Sequence, residues 1–358
     1  MGAPLSPPIP GSTGDDNQAA GTHFAWALIG PGKIARRFAG AVAAMPGTVL
    51  RAVLGRDATR AGDFAARHTN LDGSHPVVAK SCEELLADSL IDGIYIATPH
   101  AQHGEWVHRC LAAGKPVLCE KPLVPSRAQG QALVDLARKQ QVFLMEAVWT
   151  RFLPVYAVVA QWLRDKAIGE LRGMQSSFCF PAPFDPAGRL YNPALAGGAL
   201  LDIGIYNLAV TRWALQTALG ACPEPLAIHA TGVLAPTGVD QRVTATLHFP
   251  HGFDSQFICG LDGEAENALT IFGERGVIKL PSRFWQATEA LLQPSGGPQQ
   301  HVRAPFVVNG FEYEIDEAQR CIHDGLVESP RMTHADTLAT LGWMDEIRRQ
   351  VCVRYPFE

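Results

Sequence analysis

The hydrophobic pattern of the first half of the chain alternates short apolar runs with amphipathic stretches. The apolar runs lie between Phe24 and Met145, at 24–29, 48–54, 76–78, 93–98, 116–120 and 142–145. Continuous apolar runs separated by helices are typical of strands buried on both faces of a parallel sheet. The pattern therefore predicts a doubly wound α/β domain, the Rossmann layout, over residues 23–146.

The stretches between these runs carry helical signals. Residues 33–45 place apolar side chains at steps of three and four, which predicts a helix buried along one face: Ile34, Phe38, Val42 and Met45. Further along, Ser81 is followed three residues later by Glu84. This spacing is a capping box and predicts the start of a short helix.

After Met145 the chain changes to strand-like runs with fewer helices between them. These runs are 171–180, 226–234, 242–249, 254–261, 268–273 and 277–280. Two helical stretches, 311–326 and 334–350, close the chain. The pattern predicts a second, α+β domain with a mostly antiparallel sheet over residues 147–358.

Composition narrows the possible function classes. The 30 Lys and Arg residues against 35 Asp and Glu give a net charge of −5, so no basic surplus is present to neutralise nucleic-acid phosphates. A hydrophobic fraction of 47% excludes a disordered chain, and 358 residues predict two domains. No stretch of about 20 apolar residues appears, so the sequence predicts no membrane span and no membrane partner.

The N-terminal segment and the cysteines point to a cytoplasmic protein. Residues 1–22 are rich in Pro, Gly and small polar residues and lack the parts of a signal peptide, which predicts a flexible tail. Their first six residues fit a myristoylation pattern, but no basic cluster or second lipid signal follows. The eight cysteines form no CxxC pair, so we expect free thiols and no metal site.

A G-x-G-x-x-A turn follows the first predicted strand and opens the first helix. Its residues are Gly30, Pro31, Gly32, Lys33, Ile34 and Ala35. Gly30 permits the tight turn, Gly32 leaves room for a pyrophosphate, and Ala35 lets the helix approach the strand. The helix N-terminus supplies N–H groups and a positive dipole. In this context the pattern predicts dinucleotide binding; the alternative is a purely structural turn.

The end of the second strand bears on the choice between NADP and NAD. An NAD site usually carries Asp or Glu there, for the ribose 2′-hydroxyl. This chain has Gly55, Arg56 and Asp57, with Arg60 one helical turn beyond. The two guanidinium groups favour a 2′-phosphate, and Gly55 leaves space for it. Asp57 opposes this or caps the next helix, and Arg60 could simply lie on a solvated helix face. The residues favour NADP over NAD.

Two further groups follow predicted strands. Thr98 and Pro99 end the fourth strand, with His100 and His103 next, at the edge where ligands bind in such sheets; each histidine could instead be an ordinary surface residue. The fifth strand ends with an acid, a base and a proline: Glu120, Lys121 and Pro122. A lysine at this position must be paired or reach water, and a Lys–Pro bond can be cis.

The last candidate pair lies in the second half of the chain. Asp202 and Tyr206 stand four residues apart in the stretch 197–206, so on a helix they share a face. Most pairs of this kind are ordinary helix surface. The preceding Pro-rich stretch 181–193 is a candidate pocket wall, with an ordinary surface loop as the alternative.

These motifs together resemble the Gfo/Idh/MocA oxidoreductases. The resemblance is carried by the G-x-G-x-x-A turn, by Glu120-Lys121-Pro122 and by Gly198 through Tyr206, in order, and it covers residues 24 to about 357. Many members have histidine where this chain has Tyr206. DIGIY, EAVWTRF and the Arg56/Arg60 pattern resemble instead the branch with dimeric trans-dihydrodiol dehydrogenase, NADP-dependent D-xylose dehydrogenase and glucose–fructose oxidoreductase.

The resemblance implies a role for each matched residue. It implies that Lys121 and Tyr206 are catalytic, with Asp202 assisting. It also implies that Trp149 and Arg151 lie near the nicotinamide and that His103 lies near the substrate. A large open sheet in the second domain is implied to form a homodimer.

The expected activity is NADP-dependent hydride transfer to or from a CH–OH group of a sugar or a cyclic vicinal diol. A phenol with a pKa near 10 is a poor base at neutral pH, and a nearby lysine lowers that pKa. Tyr206 is thus the expected acid/base, tuned by Lys121, and no metal is required. A non-catalytic NADP-sensing protein and a sugar transhydrogenase with captive NADP remain the alternatives.

Overall fold

The computed structural model describes residues 23–358, so the predicted tail and its myristoylation pattern lie outside the described residues. The described chain forms two compact units. The first contains the chain up to Val124 together with Ala128–Trp149 and Phe306–His334. The second contains Pro125–Arg127, Thr150–Pro305 and Ala335–Glu358.

The first unit is built on a parallel six-stranded sheet. Its strands are β1 Phe24–Ile29, β2 Thr48–Leu54, β3 Val77–Val78, β4 Gly93–Ile96, β5 Val117–Glu120 and β6 Leu144–Ala147. They lie in the order β3-β2-β1-β4-β5-β6, so the order reverses beside β1, where such sheets bind ligands. The predicted doubly wound layout is confirmed, because every predicted apolar run of this half overlaps a strand of this sheet.

The helices of the first unit are α1 Lys33–Val42, α2 Ala58–Ala66, α3 Cys82–Ala87, α4 His100–Ala112, α5 Arg127–Gln140 and α8 Glu312–His323. The predicted buried face of α1 is correct for Phe38 and Val42 but wrong for Ile34, which is 38% exposed. Ile34 lies in the first turn, where the small Ala35 faces the strand instead. Ser81 accepts a hydrogen bond from the Glu84 N–H at 3.1 Å, which confirms the predicted cap.

The segment Phe306–His334 returns to the first unit, although the sequence analysis assigned it to the second domain. Asn309 and Arg37 bond reciprocally: Arg37 Nε donates to the Asn309 carbonyl at 3.1 Å, and Asn309 Nδ2 donates to the Arg37 carbonyl at 2.9 Å. Leu144 of β6 donates its N–H to the Val327 carbonyl at 3.0 Å. These contacts are long-range, and a local pattern of apolar residues does not encode them.

The second unit is built on an eight-stranded sheet. Its strands are β7 Leu171–Cys179, β8 Ala227–Leu234, β9 Asp240–His248, β10 Asp254–Gly260, β11 Leu269–Gly273, β12 Gly276–Leu280, β13 Glu289–Pro294 and β14 Gln300–Arg303. The order is β14-β13-β12-β11-β7-β10-β9-β8, with β7 and β10 parallel and the other neighbours antiparallel. This confirms a mostly antiparallel sheet. The strands β13 and β14 at one end of the sheet were not predicted from the sequence, and β14 consists of the polar run QHVR.

Three helices accompany this sheet: α6 Pro154–Arg164, α7 Ile205–Leu219 and α9 His334–Gln350. A π-helical turn, Leu200–Gly204, runs directly into α7. Within the described residues, the stretch Pro193–Leu219 is long and apolar enough to span a membrane, contrary to our reading of the sequence. Its most apolar window is 89% buried inside the protein, which is the ordinary environment of a core helix.

Candidate functional site

The glycine-rich turn of the first unit leads into α1, whose N-terminus has no side-chain cap among the described residues. Gly30 has φ +92°, and a Cβ there would lie 2.8 Å from the Ala97 carbonyl carbon, so only glycine fits. Gly32 precedes α1, and no described side chain caps this helix end or places an acid in its first turn. Lys33 and Ile34 are exposed, and Ala35 is buried. The N–H groups of this turn are therefore available to an anionic ligand.

The end of β2 presents two exposed arginines beside this turn. Neither the Arg56 nor the Arg60 guanidinium forms an ion pair or side-chain hydrogen bond within residues 23–358. Asp57 caps α2 by accepting the N–H groups of Thr59 at 2.9 Å and Arg60 at 3.1 Å, so its carboxylate is committed to the helix. Packing also favours glycine at position 55, because a Cβ there would lie 2.9 Å from Pro31 Cγ.

The loop after β4 contributes an unused hydroxyl and a buried histidine. Pro99 precedes α4, and Thr98 Oγ1 is buried without a hydrogen-bond partner within residues 23–358. His103 is fully buried, with its ring nitrogens each 2.8 Å from a carbonyl oxygen, that of Pro122 and that of Thr98. Burial lowers the pKa of His103. The imidazole thus braces two loops together rather than facing solvent.

Glu120, Lys121 and Pro122 end β5, and the Lys121–Pro122 peptide bond is cis. Glu120 is buried and accepts the Tyr95 hydroxyl at 2.5 Å and the Lys121 N–H at 3.2 Å. Lys121 itself is partly exposed. Partial exposure avoids the cost of fully burying a lysine at a strand end.

A buried acid of α8 lies near Glu120 and was missed from the sequence. Glu314 is fully buried, and its two carboxyl oxygens have no hydrogen-bond partner within residues 23–358. Burial, with the nearby Glu120 charge adding to it, raises the pKa of Glu314 well above its ordinary value. Burial therefore favours the neutral form of this carboxyl. No local signal in FEYEIDEAQ distinguishes this glutamate from its exposed neighbours.

Trp149 is buried and belongs to an aromatic cluster of the first unit. The Arg37 guanidinium lies 4.2 Å from its ring centroid, and the Phe311 ring lies 5.1 Å away. Phe306 contacts the same ring at 6.2 Å. Trp149 thus anchors the returning segment to the first unit.

Arg151 forms part of a buried polar network in the second unit. Its Nη1 lies 3.2 Å from Asp336 Oδ2, and its Nη2 donates to Gln216 at 2.8 Å. Arg212 donates to the other oxygen of Asp336 at 2.7 Å. One carboxylate between two buried guanidiniums gives Arg151 a structural role, whatever it contributes to ligand binding.

Asp202 and Tyr206 lie on either side of the start of α7. Asp202 belongs to the π-helical turn and is 6% exposed; Tyr206 is 7% exposed. Arg189, from the Pro-rich stretch 181–193, donates to Asp202 Oδ1 at 2.7 Å. The stretch therefore contacts a candidate catalytic residue.

Aromatic rings of the second unit lie near Tyr206. The Phe178 ring lies 5.8 Å from the Tyr206 ring and stacks on Trp285, with centroids 3.4 Å apart and planes 6° apart. Phe180 lies 6.3 Å from Phe178. These rings form an apolar wall that suits a flat ring. Apolar surroundings also strengthen the electrostatic interaction between the Tyr206 hydroxyl and any nearby charge.

Two family models match the chain. A model described as "Oxidoreductase family, NAD-binding Rossmann fold" matches residues 24–148, and the GFO/IDH/MocA C-terminal domain matches residues 156–279. Together they cover the whole first sheet and, in the second sheet, strands β7 to β11 and most of β12. The chain is also 36% identical to trans-1,2-dihydrobenzene-1,2-diol dehydrogenase of Danio rerio, over 92% of this chain and 97% of that protein, and 32% identical to the Homo sapiens protein of that name, over 92% and 98%.

Solved structures give the same picture. An aldose–aldose oxidoreductase from Caulobacter crescentus, complexed with glycerol, has a TM-score of 0.80 at 25% identity, covering 92% of this chain and 98% of that one. KijD10, a 3-ketoreductase from Actinomadura kijaniata in complex with NADP and TDP-benzene, has a TM-score of 0.79 at 26% identity, covering 92% and 98%.

Proposed function

Because the chain belongs to the Gfo/Idh/MocA oxidoreductase family, we propose that it is an NADP-dependent dehydrogenase acting on a CH–OH group of a cyclic vicinal diol or a sugar. The observation that carries the proposal is the helix start bearing Asp202 and Tyr206 beside stacked aromatic rings. Apolar surroundings alone disfavour the phenolate, so proton exchange between a phenol here and a substrate hydroxyl depends on the cation assigned below, Lys121.

The residues of the first unit fit a dinucleotide. The N–H groups at the start of α1 have no capping side chain, and the Thr98 hydroxyl is buried without a partner within residues 23–358. The turn also requires glycine at position 30, because a Cβ there would collide with the Ala97 backbone. We assign the pyrophosphate to this turn and to Gly32, Lys33, Ile34 and Ala35. We place the remaining predicted residues around the cofactor, where some contact it and others hold the contacting residues in position: Thr98, Pro99, His103, Glu120, Lys121, Trp149 and Arg151.

The choice of NADP rests on Arg56 and Arg60. Their guanidinium groups have no partner within residues 23–358, and Asp57, the nearest acid in sequence, is engaged as a helix cap. Two unpaired cations at the end of β2 favour a 2′-phosphate. The 3-ketoreductase neighbour was solved with NADP, which agrees with this choice.

The chemical step assigns one role to each catalytic residue. Bound NADP supplies the hydride acceptor. Tyr206 takes the proton from the substrate hydroxyl as the carbonyl forms, and returns it in the reverse reaction. Lys121 is a cation that lowers the pKa of the phenol and donates a hydrogen bond to the substrate oxygen. Asp202 orients the substrate, with Arg189 holding its carboxylate at 2.7 Å.

Among substrates, a trans-dihydrodiol is the first choice and an aldose the second. The dihydrodiol dehydrogenase relatives and the flat rings of Phe178 and Trp285 favour a substrate ring with a largely apolar face. The aldose–aldose oxidoreductase neighbour supports an aldose, and with it the possibility of sugar transhydrogenation. We also propose that the chain forms a homodimer, which light scattering of the purified protein tests.

The experiment follows absorbance of reduced nicotinamide with purified protein, NADP or NAD, a trans-dihydrodiol and a panel of aldoses. We expect reduction of NADP, faster than NAD, by the diol. Reduction only by aldoses would move the protein to the sugar branch. Tight NADPH binding without turnover of any carbonyl or hydroxyl compound would favour a non-catalytic sensor.

A further inference from the structure

The helix that carries Asp202 and Tyr206 begins at a tight turn. This turn, 197–200, contains Gly198 with φ +123°, and the π-helical turn follows it. Both side chains project from the first residues of this one helix. The position of the turn therefore determines where the Asp202 and Tyr206 side chains lie. Whatever holds the turn therefore sets the position of both.

Asp240 holds the turn on its N–H side. Asp240 begins β9 and is fully buried. Its Oδ2 accepts the N–H of Leu200 at 2.6 Å. Its Oδ1 lies against the Cα of Gly198, where any Cβ would overlap it, and it accepts no hydrogen bond within residues 23–358. Gly198 is thus required by a carboxylate packed against the backbone, not only by its own φ angle.

Tyr355 holds the same turn on its carbonyl side. Its buried hydroxyl donates to the Gly197 carbonyl at 2.7 Å. The Arg348 guanidinium carbon lies 5.1 Å from the Tyr355 ring, and this guanidinium is itself held by Glu358 at 2.6 Å. The end of the chain therefore supports the start of the helix.

We propose that Asp240 is a positioning residue for catalysis: through Leu200 and Gly198 it fixes the start of the helix and thereby the direction of Asp202 and Tyr206. This inference rests on the proposed function, because it assigns the position of its acid/base. A carboxylate accepts a stronger hydrogen bond from a helix N–H than a neutral group does, and it interacts favourably with the positive end of the helix. The ionised form of Asp240 therefore holds the turn best.

Asp240 changes its charge near neutral pH. Burial raises its pKa from 3.8 to about 7, against the opposing effect of the Leu200 N–H and of Arg348. The other ionisable groups that face it are Cys259 of β10 and Tyr355, and burial raises the pKa of each, so both are neutral at pH 7. Because the folded pKa is the higher one, the contribution of this group to stability falls as the pH rises from 3.8 to about 7. Activity and stability thus respond to this proton in opposite directions.

The test compares Asp240→Asn with the unchanged protein from pH 6 to pH 9. Asparagine keeps the acceptor for Leu200 but carries no charge. We expect equal kcat near pH 6, where both groups are neutral, and a kcat about tenfold lower for the variant above pH 8. The variant should be the more stable protein above pH 8. NADPH affinity should not change, and Glu264→Gln, which removes an exposed carboxylate of the second unit, is the control.

A second readout does not depend on turnover. Hydrogen exchange of the peptide spanning 197–206 should be faster in Asp240→Asn above pH 8, and faster also in Tyr355→Phe, which removes the bond to Gly197. Unchanged exchange in this peptide overturns the proposal even if no substrate is turned over. A kcat ratio that stays constant across the pH range overturns it as well. An inactive unchanged protein with the expected exchange would contradict the proposed function alone.

Discussion

Each unit contains a glycine-rich turn that starts a helix, and the two turns are completed differently. At Gly30 and Gly32 no described side chain caps the start of α1, so its first N–H groups are available to a ligand or to water. At Gly197 and Gly198 the protein supplies both partners, a carboxylate and a phenol hydroxyl. The comparison indicates that the first turn is built to bind an anion and the second to hold side chains in place.

The glycines differ in the same way. A Cβ at Gly30 would collide with the backbone of Ala97 on the neighbouring strand, whereas a Cβ at Gly198 would collide with a side chain, that of Asp240. Backbone around a sheet cannot move away, but a side chain can. We therefore expect substitution of Gly30 to have a larger effect than substitution of Gly198.

Gly30→Ala should remove cofactor binding. The collision with Ala97 at 2.8 Å pushes the turn away from the position that the N–H groups need. We expect NADPH affinity to fall about 100-fold, which corresponds to roughly 2.8 kcal/mol. Quenching of tryptophan fluorescence by NADPH measures it. Gly47→Ala is the matched control, because Gly47 also has positive φ, at +71°, but nothing within 4 Å of its Cβ position; an equal loss there would attribute the effect to backbone strain.

Gly198→Ala should lower turnover and leave cofactor affinity intact. The added methyl group displaces the Asp240 carboxylate from the turn, so the helix start loses its position. We expect kcat to fall about 30-fold, less than the loss expected for a displacement of a full ångström. Gly220→Ala, at the other end of α7 with φ +82° and open space around it, separates strain from collision. A fall in NADPH affinity would contradict the separation of roles.

Arg56→Gln and Arg60→Gln should weaken NADP binding without affecting NAD binding. Each removes a cation that has no other partner within residues 23–358. We expect about a tenfold loss of NADP affinity for each, equivalent to about 1.4 kcal/mol. Titrations with NADPH and NADH measure both affinities. Arg67→Gln, an exposed arginine at the end of α2, serves as the control for a general change in charge.

Glu314→Gln should change stability with pH and little else. The raised pKa of Glu314 means that the folded protein holds this proton above the pH at which the unfolded chain releases it. The contribution of Glu314 to stability therefore falls as the pH rises, and glutamine removes this dependence. Thermal unfolding from pH 5 to 9 should give a Tm several degrees higher for the variant at pH 9 and equal values at pH 5. Glu264→Gln, at an exposed position, should leave the profile unchanged.

Features with a local cause were predictable from the sequence. The apolar runs of the first sheet, the Ser81 cap and the open turn at Gly30 each follow from residues within a few positions of one another. Ile34 was assigned to the wrong face because periodicity alone does not say where along a helix the contact with the sheet begins. The edge strand β14 carried too few apolar residues to be recognised.

Features that depend on distant contacts were not predictable. The return of 306–334 to the first unit depends on pairs such as Arg37 with Asn309. Asp240 looks like an ordinary polar residue after a turn, and its role appears only when β9 places it beneath Gly198. The contacts of His103 are also long-range, because its ring nitrogens lie 2.8 Å from the carbonyls of Pro122 and Thr98; its place near the substrate stays a prediction.

The most direct test of the central claim is Tyr206→Phe, studied for binding and turnover in parallel. The first unit should bind NADPH with unchanged affinity, because Tyr206 belongs to the other unit. Reduction of NADP by the preferred trans-dihydrodiol should fall about 10²- to 10⁴-fold, the range expected when a general base is lost. Turnover retained in the variant at the level of the unchanged protein would contradict the account and remove Tyr206 from the mechanism.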